Sequence, residues 1–258
     1  MSLQKDKKLN SLHDLLPEGV AVPSQWLLEQ GYSRQLVRKY VQGNWLAPLG
    51  RGVYARPQSA VNWQGLVLGM QLFAKLPFHL GGVSSLNIQG YSHYLPLGGE
   101  QYIWLWGRSR VPAWVEAVSL SEQLQFKTVQ LFDDKASHVG MSCVPSAVRD
   151  LSITVSSPER AIMEVLYGVD DEHNFNHAVE LFEGLTTLRP RVVNELLQHC
   201  QSVKVKRLFL WMMGRFSYSW TKRVNTEQVA LGSGKRMVVK GGKLNHKYLI
   251  TIPSSFDD

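Results

Sequence analysis

From Pro23 to Pro57 the chain reads PSQWLLEQGYSRQLVRKYVQGNWLAPLGRGVYARP. Two short helical patterns broken by a glycine, then two apolar runs bent around Gly-Arg-Gly, leave few ways to fold. Pro23-Ser24 predicts the start of a helix over 25–30, with Trp26, Leu27 and Leu28 available to a core. Gly31 can close that helix in a left-handed conformation. Ser33 then stands where its hydroxyl can accept from the free N–H groups of a new first turn. In the helix it opens, Arg34 to Gln42, the residues Leu36, Val37, Tyr40 and Val41 share one face. Arg34, Gln35, Arg38, Lys39 and Gln42 share the other, and Gly43-Asn44 end it. Trp45-Leu46-Ala47-Pro48 and Gly52-Val53-Tyr54-Ala55 predict two short strands around Leu49-Gly50-Arg51.

A helix, a tight turn, a helix with an acid-free basic face and a basic hairpin is the plan of a winged helix-turn-helix. Arg34 and Arg38 lie one turn apart and project together. Arginine can donate two parallel hydrogen bonds to guanine, and glutamine can pair with adenine, so this face predicts a reader of duplex DNA. Arg51 at the hairpin tip suits a phosphate or the minor groove, and Arg56 adds a second wing charge. The predicted DNA-binding set is Ser33, Arg34, Gln35, Arg38, Lys39, Gln42, Arg51 and Arg56. A winged helix can also serve as a protein-docking module, so basic amphipathicity alone leaves that alternative open.

Charge is uneven along the chain. The formal net charge of +7 resolves into +4 over residues 1–60, −5 over 61–200 and +8 over 201–258. Two basic ends around a mildly acidic middle suggest polyanion contact at the ends. Cys143 and Cys200 lie far apart without metal-type spacing, which excludes a disulfide framework. The N-terminal residues lack the apolar run of a signal peptide, and the longest apolar window, around Leu66 to Leu76, is too short and polar to span a bilayer. These features predict a soluble cytoplasmic protein.

Outside the winged helix, leucines between Leu3 and Leu16 predict a first helix, with Lys5, Lys7 and Lys8 toward solvent, ended by Pro17-Glu18-Gly19. A core helix is expected over Trp63–Leu76 and a short one after Gly81-Gly82. Strands are expected over 102–106, 115–120, 124–132, 141–144 and 151–155. Helices follow, opened by Ser157 as cap and Pro158 at the first helical position, then over 176–186, 191–200 and 203–216. The fold class is therefore α+β. An N-terminal winged helix over residues 1–60 precedes a mixed α/β domain over 61–258, which has a small sheet and several packed helices and a sub-boundary near 156.

Catalytic patterns fail in turn. Leu231-Gly232-Ser233-Gly234-Lys235-Arg236 suggests a phosphate loop, but Val229 stands where the first glycine is needed and Arg236 where Ser or Thr should hold magnesium. His173 and His177 are four apart, but Asp170, Asp171 and Asn174 read as a solvated acidic loop rather than a helix interior. No nucleophile elbow or triad order appears. No catalytic residue, metal or cofactor is expected.

Three stretches carry a family resemblance. The first ends in Gly50-Arg51-Gly52-Val53-Tyr54-Ala55-Arg56-Pro57. The second is Thr154-Val155-Ser156-Ser157-Pro158-Glu159-Arg160-Ala161-Ile162-Met163-Glu164-Val165-Leu166. The third joins Val203-Lys204-Val205-Lys206-Arg207-Leu208-Phe209 to Leu231–Arg236 and to Val239-Lys240-Gly241-Gly242-Lys243-Leu244. With these in this order, the chain resembles the AbiEi antitoxins of type IV toxin–antitoxin (abortive infection) systems. The resemblance implies a non-enzymatic regulator whose winged helix binds inverted repeats at its own promoter and represses the operon; a dimer on DNA is one arrangement left open. Its C-terminal domain would counter a nucleotidyltransferase-like toxin of the AbiEii type, with no need for a stable complex. The basic tail, with Lys235, Arg236, Lys240 and Lys243, offers a second reading, a surface for structured RNA or an acidic protein. A stand-alone regulator would look the same.

Overall fold

The computed structural model describes residues 11–12, 14–91 and 102–256. The expected N-terminal helix falls mostly outside them, including Lys5, Lys7 and Lys8, but Leu12 and Leu16 are buried. The chain divides into two compact units, each described on its own below.

The first unit takes in the described residues of Met1–His79, Glu100–Thr128 and Cys143–Thr154. It contains the winged helix. Strand β1 (Val22–Pro23) leads into α1 (Ser24–Glu29), then α2 (Arg34–Gln42), β2 (Ala47–Gly50) and β3 (Val53–Ala55). β3 pairs antiparallel with both β1 and β2, with a register shift between Pro48 and Gly50. The helices bury Leu27, Val37 and Tyr40 against Leu12, Leu16, Val22, Tyr32 and Leu46. Strand β1 was not expected from the sequence, because two residues of Val-Pro carry no alternation.

Helix α3 (Trp63–Leu68) starts at Asn62, whose side chain accepts from the N–H of Gly65 at 3.0 Å. It widens into a π-helical turn over Gly69–Phe73. Its two glycines face the backbone of residues 19–21. A Cβ on Gly65 would stand 1.8 Å from the Gly19 carbonyl oxygen, and one on Gly69 2.0 Å from that of Ala21. The contact replaces side-chain packing with backbone, and the N–H of Ala21 donates to the Gly65 carbonyl at 3.1 Å.

Strands β4 (Phe78–Leu80), β5 (Tyr102–Gly107), β6 (Gln123–Lys127), β7 (Met141–Pro145) and β8 (Ser152–Ser156) form a sheet of order β6-β5-β4-β8-β7. β5 and β6 run parallel, with Ile103 opposite Leu124 and Leu105 opposite Phe126. The strand expected over 115–120 is instead a helical turn, α5 (Ala113–Glu116). Pro112, extended at ψ 144°, sets its start. The strand expected to reach Phe132 stops at Lys127, and Phe132 makes only an isolated bridge to Cys200.

The second unit takes in the described residues of Leu80–Gly99, Val129–Ser142 and Val155–Asp258. Its helices are α4 (Gly82–Ile88), α6 (Pro158–Gly168), α7 (Glu172–Glu183), α8 (Pro190–His199) and α9 (Val203–Arg215). Phe182, Phe209 and Trp220 are buried together, and the Trp220 indole donates to the Leu185 carbonyl at 3.0 Å. A hairpin of β9 (Lys243–Asn245) and β10 (Ile250–Ile252) closes the chain. Ser157 stands at the cap of α6 as expected, but its hydroxyl donates to Glu159 at 2.6 Å instead of capping.

Candidate nucleic-acid interface

Helix α2 has the residues and limits expected of it. Ser33 is extended at its start, and its Oγ accepts from the N–H of Leu36 at 3.3 Å. The preceding turn depends on Gly31 at φ +83°. Val37 and Tyr40 point inward, while Ser33, Arg34, Gln35, Arg38, Lys39 and Gln42 are all exposed. Nine residues give about 13 Å of helix, enough to lie in one major groove. Arg34, Arg38 and Lys39 have no ion-pair partner among the described residues. No Asp or Glu occurs between Glu29 and Glu100, so nothing in that stretch of sequence cancels the charge locally.

The wing is braced from behind. Gly50 lies so close to residue 117 that a Cβ there would stand 2.2 Å from the Ala117 carbonyl oxygen. Gly52, at φ +80°, completes the turn, and Arg51 at its tip is exposed. Arg56 is differently placed. It pairs with Glu18 at 3.3 Å and is about one-third exposed, so its guanidinium already has an acid. Trp45, read from the sequence only as a strand residue, precedes β2 and is 44% exposed at the end of α2. The signal was there in an indole directly after the Gly43-Asn44 stop.

The C-terminal basic residues Lys235, Arg236, Lys240 and Lys243 are exposed as well. Beneath them lies Arg207, which is 2% exposed. Its guanidinium donates to the carbonyls of Leu231 at 2.9 Å, Gly234 at 2.6 Å, Gly232 at 3.1 Å and Leu249 at 3.2 Å. Burial lowers its pKa, and Arg236 adds to the effect. The loop that resembled a phosphate cradle thus turns its carbonyls onto a cation of its own chain. Because carbonyl and following N–H point opposite ways across a trans peptide, its amides diverge rather than converge on one anion.

His173 and His177 both lie on α7, which Asp171 caps with a bond of 2.7 Å to the N–H of Asn174, so the expected acidic loop is a helix start. Burial lowers the pKa of His177, Glu180 opposes this and His173 adds to it. Among the described residues no three His, Cys, Asp or Glu side chains are grouped to hold a metal. Nor is any helix among them long and apolar enough to cross a membrane.

Two family models cover almost the whole chain: "Transcriptional regulator, AbiEi antitoxin, Type IV TA system" matches residues 100–253, and its N-terminal domain matches residues 5–97. The chain belongs to the AbiEi antitoxin family. No curated protein matches it. Among solved structures it is similar to the RV2827C protein from Mycobacterium tuberculosis, with 14% identity over 90% of this chain and 86% of that one and a TM-score of 0.51. That likeness shows the fold alone.

In this AbiEi-family chain the stretches that carry the resemblance occupy different places. In the wing stretch Arg51 is exposed while Val53 and Ala55 are buried. The Ser-Pro-Glu-Arg stretch is interior: Glu159, 3% exposed, receives Arg189 at 2.8 and 2.9 Å, and Arg160 pairs with Glu164 at 3.1 Å. Glu164 also accepts from the N–H of Gly82 at 2.9 Å, at the start of α4. Lys204 donates to the Tyr167 and Val169 carbonyls at 2.7 and 2.8 Å, at the end of α6.

Proposed function

We propose that this AbiEi-family protein is a cytoplasmic, sequence-specific DNA-binding repressor of its own promoter, without a catalytic step, metal or cofactor. Residues 1–60 would supply the winged helix and bind inverted repeats as a dimer on DNA. Residues 61–258 would counter a nucleotidyltransferase-like toxin, in a manner that needs no stable complex. The observation that carries the reading is the exposed basic face of α2, without an ion-pair partner among the described residues, with Arg51 held out on a braced wing. Arg34, Gln35 and Arg38 would read bases, while Ser33, Lys39, Gln42 and Arg51 would contact the backbone. Arg56 would contribute only on exchanging Glu18 for a phosphate.

Footprinting of the promoter tests this. Arg34→Ala and Arg38→Ala should each cost about 1–3 kcal/mol on the correct site. Lys39→Ala or Arg51→Ala should weaken binding to every sequence and flatten its salt dependence by about 0.9 per phosphate lost. An unchanged footprint in the Arg34/Arg38 double variant would remove α2 from recognition.

A second reading draws on one observation: Arg207 is buried beneath an exposed basic loop with no carboxylate paired to it among the described residues. Lys235, Arg236, Lys240 and Lys243 would then form a separate surface for RNA or an acidic protein. Charge reversal at these four should abolish toxin neutralisation and leave promoter binding intact. Intact neutralisation would discard the surface.

A further inference from the structure

We infer that Trp45 is a nucleic-acid contact of the winged helix, one that supplies affinity without charge. The inference rests on the duplex-DNA reading of α2. Of the large apolar side chains exposed in the described residues, Trp45 follows directly on the basic helix, and Gln42, Gly43 and Asn44 before it are all exposed. The end of the helix fixes its position. The N–H of Trp45 donates to the Tyr40 carbonyl at 2.8 Å, and Asn44 turns the chain at φ 55°. A Cβ on Gly43 would stand 2.8 Å from the indole Cδ1 and 3.1 Å from Nε1, so this edge of the ring lies against bare backbone. A side chain at position 43 would push it away.

An indole held at 44% exposure beside Lys39, Gln42 and Asn44 suits a partner that is apolar in part and polar in part. Nucleic acid offers both: apolar sugar and base surfaces for the exposed face of the ring, and a polar backbone for Lys39, Gln42 and Asn44 around it. Such a contact releases no counterion, so it adds to binding at every salt concentration alike. This separates it from the arginines, whose contribution fades as salt rises.

The test is fluorescence anisotropy of the full chain on two labelled duplexes, its own upstream region and an unrelated sequence, across a salt series. Trp45→Ala should weaken binding on the order of tenfold, with the slope of log K against log salt unchanged. Trp45→Phe should retain most of the affinity. Gly43→Ala should weaken binding in the same direction by displacing the ring. Arg38→Ala, run beside them, should flatten the slope. A folded Trp45→Ala protein that binds like the parent overturns the inference, as does one whose slope falls with its affinity. If Trp45→Ala loses its cooperative melt, Trp45→Phe and Gly43→Ala decide, and parental affinity in Gly43→Ala overturns it. A parent that binds neither duplex at low salt refutes the DNA reading itself, before any variant is made.

Discussion

Tyr40 faces inward from α2 with its hydroxyl buried and without a hydrogen-bond partner among the described residues. Burial raises its pKa, so the phenol stays neutral. A buried hydroxyl without a partner costs free energy that the ring does not return. Tyr40→Phe should therefore be neutral or stabilising by up to about 1 kcal/mol in denaturant melts, with DNA affinity unchanged. Marked destabilisation would mean that the hydroxyl has a partner. Glu159 shows the opposite case. Burial opposes its ionisation, but the hydrogen bonds from Arg189 and Ser157 outweigh it and the carboxyl titrates below its ordinary value of 4.5. A carboxyl depressed in the folded state stabilises above its unfolded pKa, and that stability is lost as pH falls through the folded value. The stability gap between the parent and Glu159→Gln should thus be full near neutrality and close below about pH 4. A gap that stayed constant to pH 3 would show that Glu159 acts by packing alone.

Elements differ in how much of them could be read from sequence. Helix α2 was legible because its cap, apolar face and stop all agreed. The 115–120 segment misled because its alternation fits a strand, while Pro112 starts a helical turn instead. Gly65 in α3 and Gly69 in the π-helical turn after it gave no signal at all: a backbone-to-backbone contact leaves no side-chain pattern. Their role predicts that Gly65→Ala or Gly69→Ala destabilises by about 2 kcal/mol or more in thermal melts, against the helix-propensity gain of roughly 1 kcal/mol that alanine brings elsewhere. A higher melting temperature would refute the close approach. At the candidate interface, the basic face of α2 and Arg51 were readable as charge without acid. The Glu18 partner of Arg56 and the exposure of Trp45 were not, because both depend on what the chain folds against.

At the scale of the whole molecule, the two compact units are each assembled from separated stretches of sequence. The proposed boundary at residue 60 therefore has a structural consequence. Residues 19–21 pack on Gly65 and Gly69, and Gly50 on Ala117, all beyond that point. A fragment ending at residue 60 should melt with little cooperativity and bind the promoter more weakly than the full chain, while keeping every residue of α2 and the wing. A sharp melt from that fragment would make the winged helix self-sufficient.

The cluster around Arg207 bears on how the proposed antitoxin activity can be mapped. Removing the tail from residue 231 onward would take away all four carbonyls and leave a bare cation in an apolar interior. Loss of protection in such a truncated chain would then report collapse of the α9 region rather than the loss of a toxin-facing surface. Serial deletion, the usual way to locate an activity, is confounded here. Point reversals on the outer side of the loop leave the inner ligands in place and can separate the two.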